Sequence, residues 1–382
     1  MRCSRRAVTV TRVFLSTWGQ SDNIGDSILR RGQLRTFQNI DGAQLHVHVG
    51  RKDFDPNAED YVSAIGLDGT EKQYDTAAGW LFRALSSPAA GRTILVMPTG
   101  EILMPERFRR YWGWWTLAGA LGAKSRGGAM VQVGAGVRMS TVGKNATGDT
   151  RIVRDQVDVP PLERLARRKM PVVAWRDANT RDSFQVGDVA PDWAFGEGPD
   201  PADGLGPPPS ARKVLAVTMR SDRDVLTEDK IALIREIAHM YGLRIQVYSQ
   251  VRRDRAVMEK LAEILHPGTP AILMRDESHD EWEAVMRTMY RDSAIVVSDR
   301  LHALIIAATE GAIPVALSNW TTEKAVRMLK PGGFDLPPQD PGAIKSYLSE
   351  MFADPQAVSR RIMGARAEID GVRARLRDLV AG

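Results

Sequence analysis

The sequence predicts an α/β protein built as two Rossmann-like domains facing a cleft. Three observations predict it. Short apolar runs alternate with helix-length stretches along most of the chain, the pattern of βαβ units and a mainly parallel sheet. One Gly-, Pro- and Asp-rich stretch, 196–211, has no periodicity, and the alternation restarts after it. The length, 382 residues, is enough for two sizeable cores.

Taken in order, the first half offers strands at Val8–Ser16, Leu45–Val49, Thr93–Met97, Ala129–Val133 and Val172–Trp175. Helices begin near Asp26, Pro105 and Pro161, where Pro or Asp suits a first turn. The second half reads as strand Val214–Met219, helix Glu228–Tyr241, strand Arg244–Ser249, helix Arg255–Leu265 and strand Ala271–Met274. A helix at Asp280–Tyr290 then leads into strand Ala294–Val297. Two more helices, Pro341–Phe352 and Ala357–Leu379, close the chain, and crossing back to the first domain is one course open to them. The boundaries are therefore 1–195 for the first domain, 196–211 for a linker, 212–340 for the second domain and 341–382 for the C-terminal helices.

Composition excludes several classes. Hydrophobic residues at 43% and charged residues at 26% are ordinary globular values, against wholesale disorder. The net charge of +5 is compatible with anionic substrates, nucleic acid or an acidic membrane, or with a plain solvated surface. No helix-turn-helix, RRM or zinc-finger pattern argues for nucleic acid. The single cysteine, Cys3, rules out an internal disulfide and any cysteine-based zinc site. The Arg5-Arg6 start resembles an export signal only superficially, since Arg12 interrupts the apolar stretch after it. No run reaches about 18 uncharged apolar residues, so a cytosolic protein is expected.

The most informative stretch is 294–318. An apolar run ends in Ser298-Asp299-Arg300 and His302, a long apolar segment comes next, and Gly311 and Pro314 precede a second apolar run, Val315–Leu317. That places an arginine and an imidazole where a strand stops and a helix starts. In open α/β sheets ligands bind outside the carboxyl ends of strands, and a helix N-terminus there presents N–H groups to anions. A fixed cation beside a titratable ring suits chemistry on a small anionic substrate. The competing reading of His302 is a satisfied core residue; Arg300 before it and Lys324 after the next strand favour function.

Other motifs carry weaker signals. Asn23, Gly25 and Asp26 lie in a polar loop between the first strand and helix, fit either for a ligand or for a turn with a capping Asp. Arg176 and Arg220 each come just after a strand, where an arginine can grip a carboxylate or phosphate or pair with a neighbouring acid. Gly134-Ala135-Gly136 begins like a dinucleotide fingerprint, but Met139 stands where its third glycine belongs. His46 and His48 alternate on a strand with no carboxylate in register, so no metal is expected. The other three histidines, His239, His266 and His279, have no setting like that of His302. Arg107, Arg109 and Arg110 precede Tyr111-Trp112-Gly113-Trp114-Trp115, a combination that can rest on a membrane interface, stack on sugars, or pack as a helix with snorkelling arginines.

Together, Asn23-Ile-Gly25-Asp26, Arg176-Asp177, Pro191-Asp192, Ser298-Asp-Arg300-Leu-His302-Ala, Gly311-Ala-Ile-Pro314 and Lys324 resemble the polysaccharide pyruvyl transferases. The resemblance covers roughly residues 13–330, and Arg-Leu-His with its succeeding Gly-x-x-Pro is its most specific part. It implies a GT-B-like pair of Rossmann-like domains, donor side in the second. It further implies transfer of the enolpyruvyl unit of phosphoenolpyruvate to sugar hydroxyls of a polysaccharide, glycolipid or lipid-linked precursor, forming a pyruvate ketal and releasing phosphate. Carried over, His302, Arg300 and Arg176 are catalytic, while Lys324, Ser298, Asn23, Gly25 and Asp26 contact substrate; Arg220, from its place at a strand end, is a further substrate-contact candidate. The chain departs from the family at Pro98-Thr99-Gly100-Glu101, where a glycine-rich turn is usual, making Glu101 an acceptor-contact candidate. No cofactor beyond the donor and no metal is implied. Work at the inner face of a membrane would suit a lipid-linked acceptor. The alternatives are a GT-B nucleotide-sugar glycosyltransferase and a non-catalytic carbohydrate-binding relative.

Overall fold

The computed structural model describes residues 10–51, 57–86, 91–102, 109–137, 140–141, 152–153, 158–222, 225–319 and 323–382. Its described strands and helices form two compact units. Neither unit is one contiguous stretch. The first contains residues up to Gly19, then Arg30–Ala190 and Asp370–Gly382; the second contains Gln20–Leu29 and Pro191–Ile369.

The first unit carries an eight-stranded sheet. Its strands are β1 (Thr11–Ser16), β2 (Ala43–His48), β3 (Lys72–Tyr74), β4 (Arg92–Val96), β5 (Gly100–Ile102) and β6 (Ala129–Val137). After a small antiparallel pair, β7 (Ser140–Thr141) with β8 (Ile152–Val153), come β9 (Val173–Trp175) and β10 (Asp188–Val189). The order is β10-β9-β6-β4-β1-β2-β3, with β5 also on β6, and every pairing in it is parallel. β1 is central and its Val13, Phe14 and Leu15 are buried, as a strand covered on both faces requires. Helices α1 (Ile24–Gln38), α2 (Ala58–Ala64), α3 (Ala77–Leu85), α4 (Arg109–Ser125), α5 (Pro161–Arg168) and α6 (Ala178–Phe184) connect them. Pro161 opens α5 at a position where its missing N–H costs nothing. Asp177 caps α6, its carboxylate accepting the Thr180 N–H at 2.8 Å.

The second unit holds a four-stranded parallel sheet of β11 (Val214–Thr218), β12 (Arg244–Val247), β13 (Ser293–Ser298) and β14 (Ile313–Ala316), ordered β12-β11-β13-β14. The expected strand Ala271–Met274 is reduced to one parallel bridge, Ile272 with Tyr248, at the β12 edge. The chain therefore winds outward from β11 to this edge, then returns to the other side of β11. That reversal is a topological switch point between β11 and β13. Around the sheet stand α7 (Glu228–Met240), α8 (Arg255–Leu265), α9 (His279–Asp292), α10 (Leu301–Thr309), α11 (Glu323–Leu329), α12 (Pro341–Ala353) and α13 (Ala357–Ala381). β13 is buried at all six positions, and α10 at all but His302. A helix apolar on every side belongs inside a core. α9 starts with a full capping box, Ser278 with Glu281.

Several sequence expectations are corrected. The 196–211 stretch is not a free spacer: it groups with the second unit, where Arg366 donates to the carbonyls of Phe195, Glu197 and Pro199, and Arg212 to those of Leu205 and Pro207. Polar side chains here satisfy backbone groups that periodicity cannot report. Gly134-Ala135-Gly136 lies within β6, and Gly134 takes a left-handed φ of 67° where the β6–β9 register shifts. Those glycines shape a strand irregularity, not a phosphate loop. The end of α13, from Asp370, groups with the first unit, where Thr11 donates to the Val380 carbonyl. Val8, Cys3, Pro105, Arg107 and Met139 lie outside the described residues.

Candidate functional site

The site assembles in the second unit at the switch point. Thr218 and Ser298 are register partners at the carboxyl ends of β11 and β13. Beyond them the two chains leave the sheet, and the Arg220 N–H donates to the Asp299 carboxylate at 3.0 Å, tying one loop to the other. The Ser298 hydroxyl accepts the Arg300 N–H at 2.9 Å, which sharpens the turn into α10. The Thr218 hydroxyl is buried with no partner among the described residues.

Arg300 occupies the N-cap position of α10, and its guanidinium forms a buried ion pair with Asp254. Asp254 is fully buried, and its second oxygen accepts the Ser221 N–H at 2.9 Å. Burial pushes the Arg300 guanidinium pKa down, opposed mainly by Asp254. Nε of Arg300 has no partner among the described residues, so its N–H stays available. Arg220 forms a two-point pair with Asp222, Nε to carboxylate at 2.8 Å, and that bond raises its pKa.

His302 is the second residue of α10. Its Nε2 faces the fully buried Asp192 carboxylate at 3.8 Å, beyond hydrogen-bond reach, and makes no hydrogen bond among the described residues. Asp192 itself is fixed by accepting the Ala194 N–H at 3.0 Å. At that separation the carboxylate faces the ring without orienting it through a hydrogen bond.

The loop at the chain's start packs on this ring. Asn23 accepts the Gly25 N–H with its side chain at 3.1 Å and the Asp26 N–H with its carbonyl at 2.9 Å. Asp26 accepts the Gln20 N–H at 2.9 Å, closing the turn before α1. A Cβ added at Gly25 would stand 2.4 Å from Cβ and Nδ1 of His302, so glycine is required here by close approach. Two residues on, the Ser27 hydroxyl points its proton at the Ile24 carbonyl and sits 2.7 Å from Nε2 of the buried His279. That leaves Nε2 of His279 as the donor.

Of the residues predicted from sequence, Asn23, Gly25, Asp26, Arg220, Ser298, Arg300 and His302 thus meet in one unit. Lys324 stands exposed on α11, which packs against α10. Arg176 and Glu101 belong to the first unit: Arg176 is buried just after β9, its N–H donating to the Ala135 carbonyl, and half-buried Glu101 lies in β5. The sequence reading missed Asp254, Ser27 and His279. Asp254 sits among three arginines in a stretch that reads as an ordinary solvated helix start, and His279 resembles a surface first-turn residue. Pro191-Asp192 was visible as a motif, but its partner was not.

Chemically, the arrangement suits an anion. No side chain caps α10 among the described residues, which leaves its first backbone N–H groups facing the switch point beside Arg300. Among the described residues no group of three or more His, Cys, Asp or Glu could hold a metal ion. His46, in the first unit, instead stacks on Phe14 at 4.3 Å and hydrogen-bonds the Tyr74 hydroxyl at 2.7 Å. Burial first, then Lys72, Arg83 and Arg12, pull its pKa down to about 4. No described helix is long and apolar enough to cross a membrane.

No protein-family model matches this chain, and no curated protein matches it in sequence. Solved structures do. The UDP-GlcNAc 2-epimerase of Neisseria meningitidis, bound to UDP-GlcNAc, is 11% identical, with 95% of this chain and 99% of that one covered at a TM-score of 0.51. The UDP-GlcNAc 2-epimerase of Methanocaldococcus jannaschii is 11% identical over 92% of this chain and 98% of its own, at 0.43. An O-GlcNAc transferase mutant of Thermobaculum terrenum is 12% identical over 98% and 68%, at 0.45. At such identity the first likeness establishes the fold alone: an α/β chain, GT-B-like in its two Rossmann-like units.

Proposed function

We propose that the chain is a ketal-pyruvyltransferase, moving the enolpyruvyl unit of phosphoenolpyruvate onto two hydroxyls of a glycan or glycolipid and releasing phosphate. One observation carries this reading. The Asn23–Asp26 loop and the Arg300–His302 segment, two of the motifs that resemble the pyruvyl transferases, are packed so closely that only glycine fits between them. The contact puts residues of both motifs at one place in the second unit, as a shared site requires.

In the first step a proton is delivered to the methylene carbon of the donor, leaving an oxocarbenium-like centre at its neighbour. One sugar hydroxyl attacks that carbon, phosphate departs, and a second hydroxyl closes the ring. Two hydroxyl protons are lost; one is balanced by the new methyl group and the other leaves with phosphate. His302 is the group that moves these protons, as the one imidazole at the strand–helix junction beside Arg300 among the described residues. The N–H groups of α10 and the free Nε of Arg300 would receive the donor's negative charge. Asp254 fixes the plane of Arg300, while Ser298 and the Asn23–Asp26 turn hold the helix start. By resemblance, Lys324 and Arg176 are further cations for the donor; Arg220, from its place at a strand end, and Glu101, where the chain departs from the family, are candidates for substrate contact.

A second reading, a sugar-nucleotide enzyme, draws on the likeness in fold to the Neisseria meningitidis epimerase. Thermal unfolding with phosphoenolpyruvate and, separately, with UDP-GlcNAc discriminates the two. Stabilisation by phosphoenolpyruvate, and phosphate release when diol-bearing glycans are added, is the expected result; stabilisation by UDP-GlcNAc alone selects the second reading. His302→Ala should lower phosphate release at least about 10²-fold with the fold intact. A near wild-type rate would remove His302 from the reaction.

A further inference from the structure

The first unit leaves an unusual surface bare. Six of the fifteen large apolar side chains exposed among the described residues lie on two helices: Leu81, Phe82 and Leu85 on α3, and Trp114, Trp115 and Leu121 on α4. Phe82 is 73% exposed and Trp115 77%. The helices are neighbours. Ala84 of α3 shares a core cluster with Ala120 and Ala123 of α4, and the Arg126 guanidinium donates to the Leu85 carbonyl. Trp114 and Leu121 are about 10 Å apart along α4 at the rise of an α-helix. Ala84 is the one fully buried residue of α3 and half-buried Trp80 packs on the core beneath, which leaves Leu81, Phe82 and Leu85 unexplained by it.

Charge narrows what could cover this surface. No acidic residue occurs in 76–100 or in 107–128, while the same segments hold Arg83, Arg92, Arg107, Arg109, Arg110, Lys124 and Arg126. Arg83, Lys124 and Arg126 are exposed beside the apolar side chains. A second copy meeting this surface with its own would set cation against cation. Two neighbouring helices that expose Trp, Phe and Leu and carry Lys and Arg but no acid within their own length have the composition of a helix face that lies in a lipid headgroup layer. We propose that the outer faces of α3 and α4 form a docking surface for an anionic phospholipid membrane, holding the protein peripherally. The proposal does not depend on the reaction assigned above.

Co-flotation of the full chain with phosphatidylcholine vesicles, with and without phosphatidylglycerol, tests it. The expected result is binding that requires phosphatidylglycerol and weakens with salt, with a blue-shifted tryptophan emission. Phe82→Ser/Trp114→Ser/Trp115→Ser should reduce partitioning at least about tenfold. Arg83→Gln/Lys124→Gln should reduce it by a similar factor, since each cation near an anionic surface contributes about fivefold. Should the triple variant fail to fold, judged by circular dichroism, Trp115→Ser alone should still lower partitioning measurably. Absence of wild-type binding to anionic vesicles overturns the proposal, as do variants that bind like wild type. So does sedimentation showing a wild-type dimer that the triple variant abolishes, because the occupant is then a second copy.

Discussion

Gly25→Ala is the sharpest perturbation the structure offers. The added methyl carbon would lie 2.4 Å from the His302 Cβ and Nδ1 and 2.5 Å from its Cγ. Ordinary carbon contacts begin near 3.5 Å, so about 1 Å must be found by moving α10 or the Asn23–Asp26 turn. Neither moves freely: α10 is buried on its other sides, and the turn is held by Asn23 and Asp26. Overpacking of this kind costs about 1–3 kcal/mol. Because the penalty is assigned to one contact, a double-mutant cycle measures it. His302→Gly removes the three atoms nearest to the new methyl. Gly25→Ala should therefore destabilise the wild-type chain in urea unfolding by about 1–3 kcal/mol, and by clearly less in the His302→Gly background. Equal costs in both backgrounds would refute the claim that the two motifs touch. With the reaction in hand, the same substitution should lower turnover by about 10²-fold, the order expected for a catalytic ring displaced by 1 Å.

Other expectations are independent of the reaction. Asp254→Asn leaves Arg300 buried without its counter-charge and should cost about 3 kcal/mol in urea unfolding; a loss under about 1 kcal/mol, typical of an exposed pair, would show that the ion pair is solvated. His46 is held neutral in the fold, its pKa near 4 against 6.5 for the free side chain. The unfolded chain then binds the extra proton between those values, so stability falls as pH drops from about 6.5 toward 4. His46→Phe should flatten the stability profile between pH 7 and 5, and an unchanged slope would assign the acid sensitivity elsewhere.

Much of the fold was legible because its signals are local. The apolar runs at Ala294–Val297 and Val214–Met219 are continuous, as strands buried on both faces must be, and they lie within a residue or two of β13 and β11. Short elements escaped. β3, β5 and β10 are two or three residues long, and α2 and α6 are single pairs of turns that propensity hardly distinguishes from loops. Ala271–Met274 has strand composition, yet at the sheet edge only Ile272 pairs.

The sequence by itself determined the α/β class, the position of the strand–helix junction at Ser298–His302, and the residue types gathered there, because periodicity and turn chemistry act over a few residues. Only the tertiary structure decided which groups face one another. Ser27 and His279 are 252 residues apart and share a hydrogen bond, Arg300 is neutralised by Asp254, and Gly25 is pressed against His302. The return of the chain across β11 sets the Asp254 and Arg300 loops at one end of the sheet, and the separate stretch Gln20–Leu29, which groups with the second unit, supplies Gly25 and Ser27. Charge pairing and steric fit act through space, and no window along the chain contains both partners.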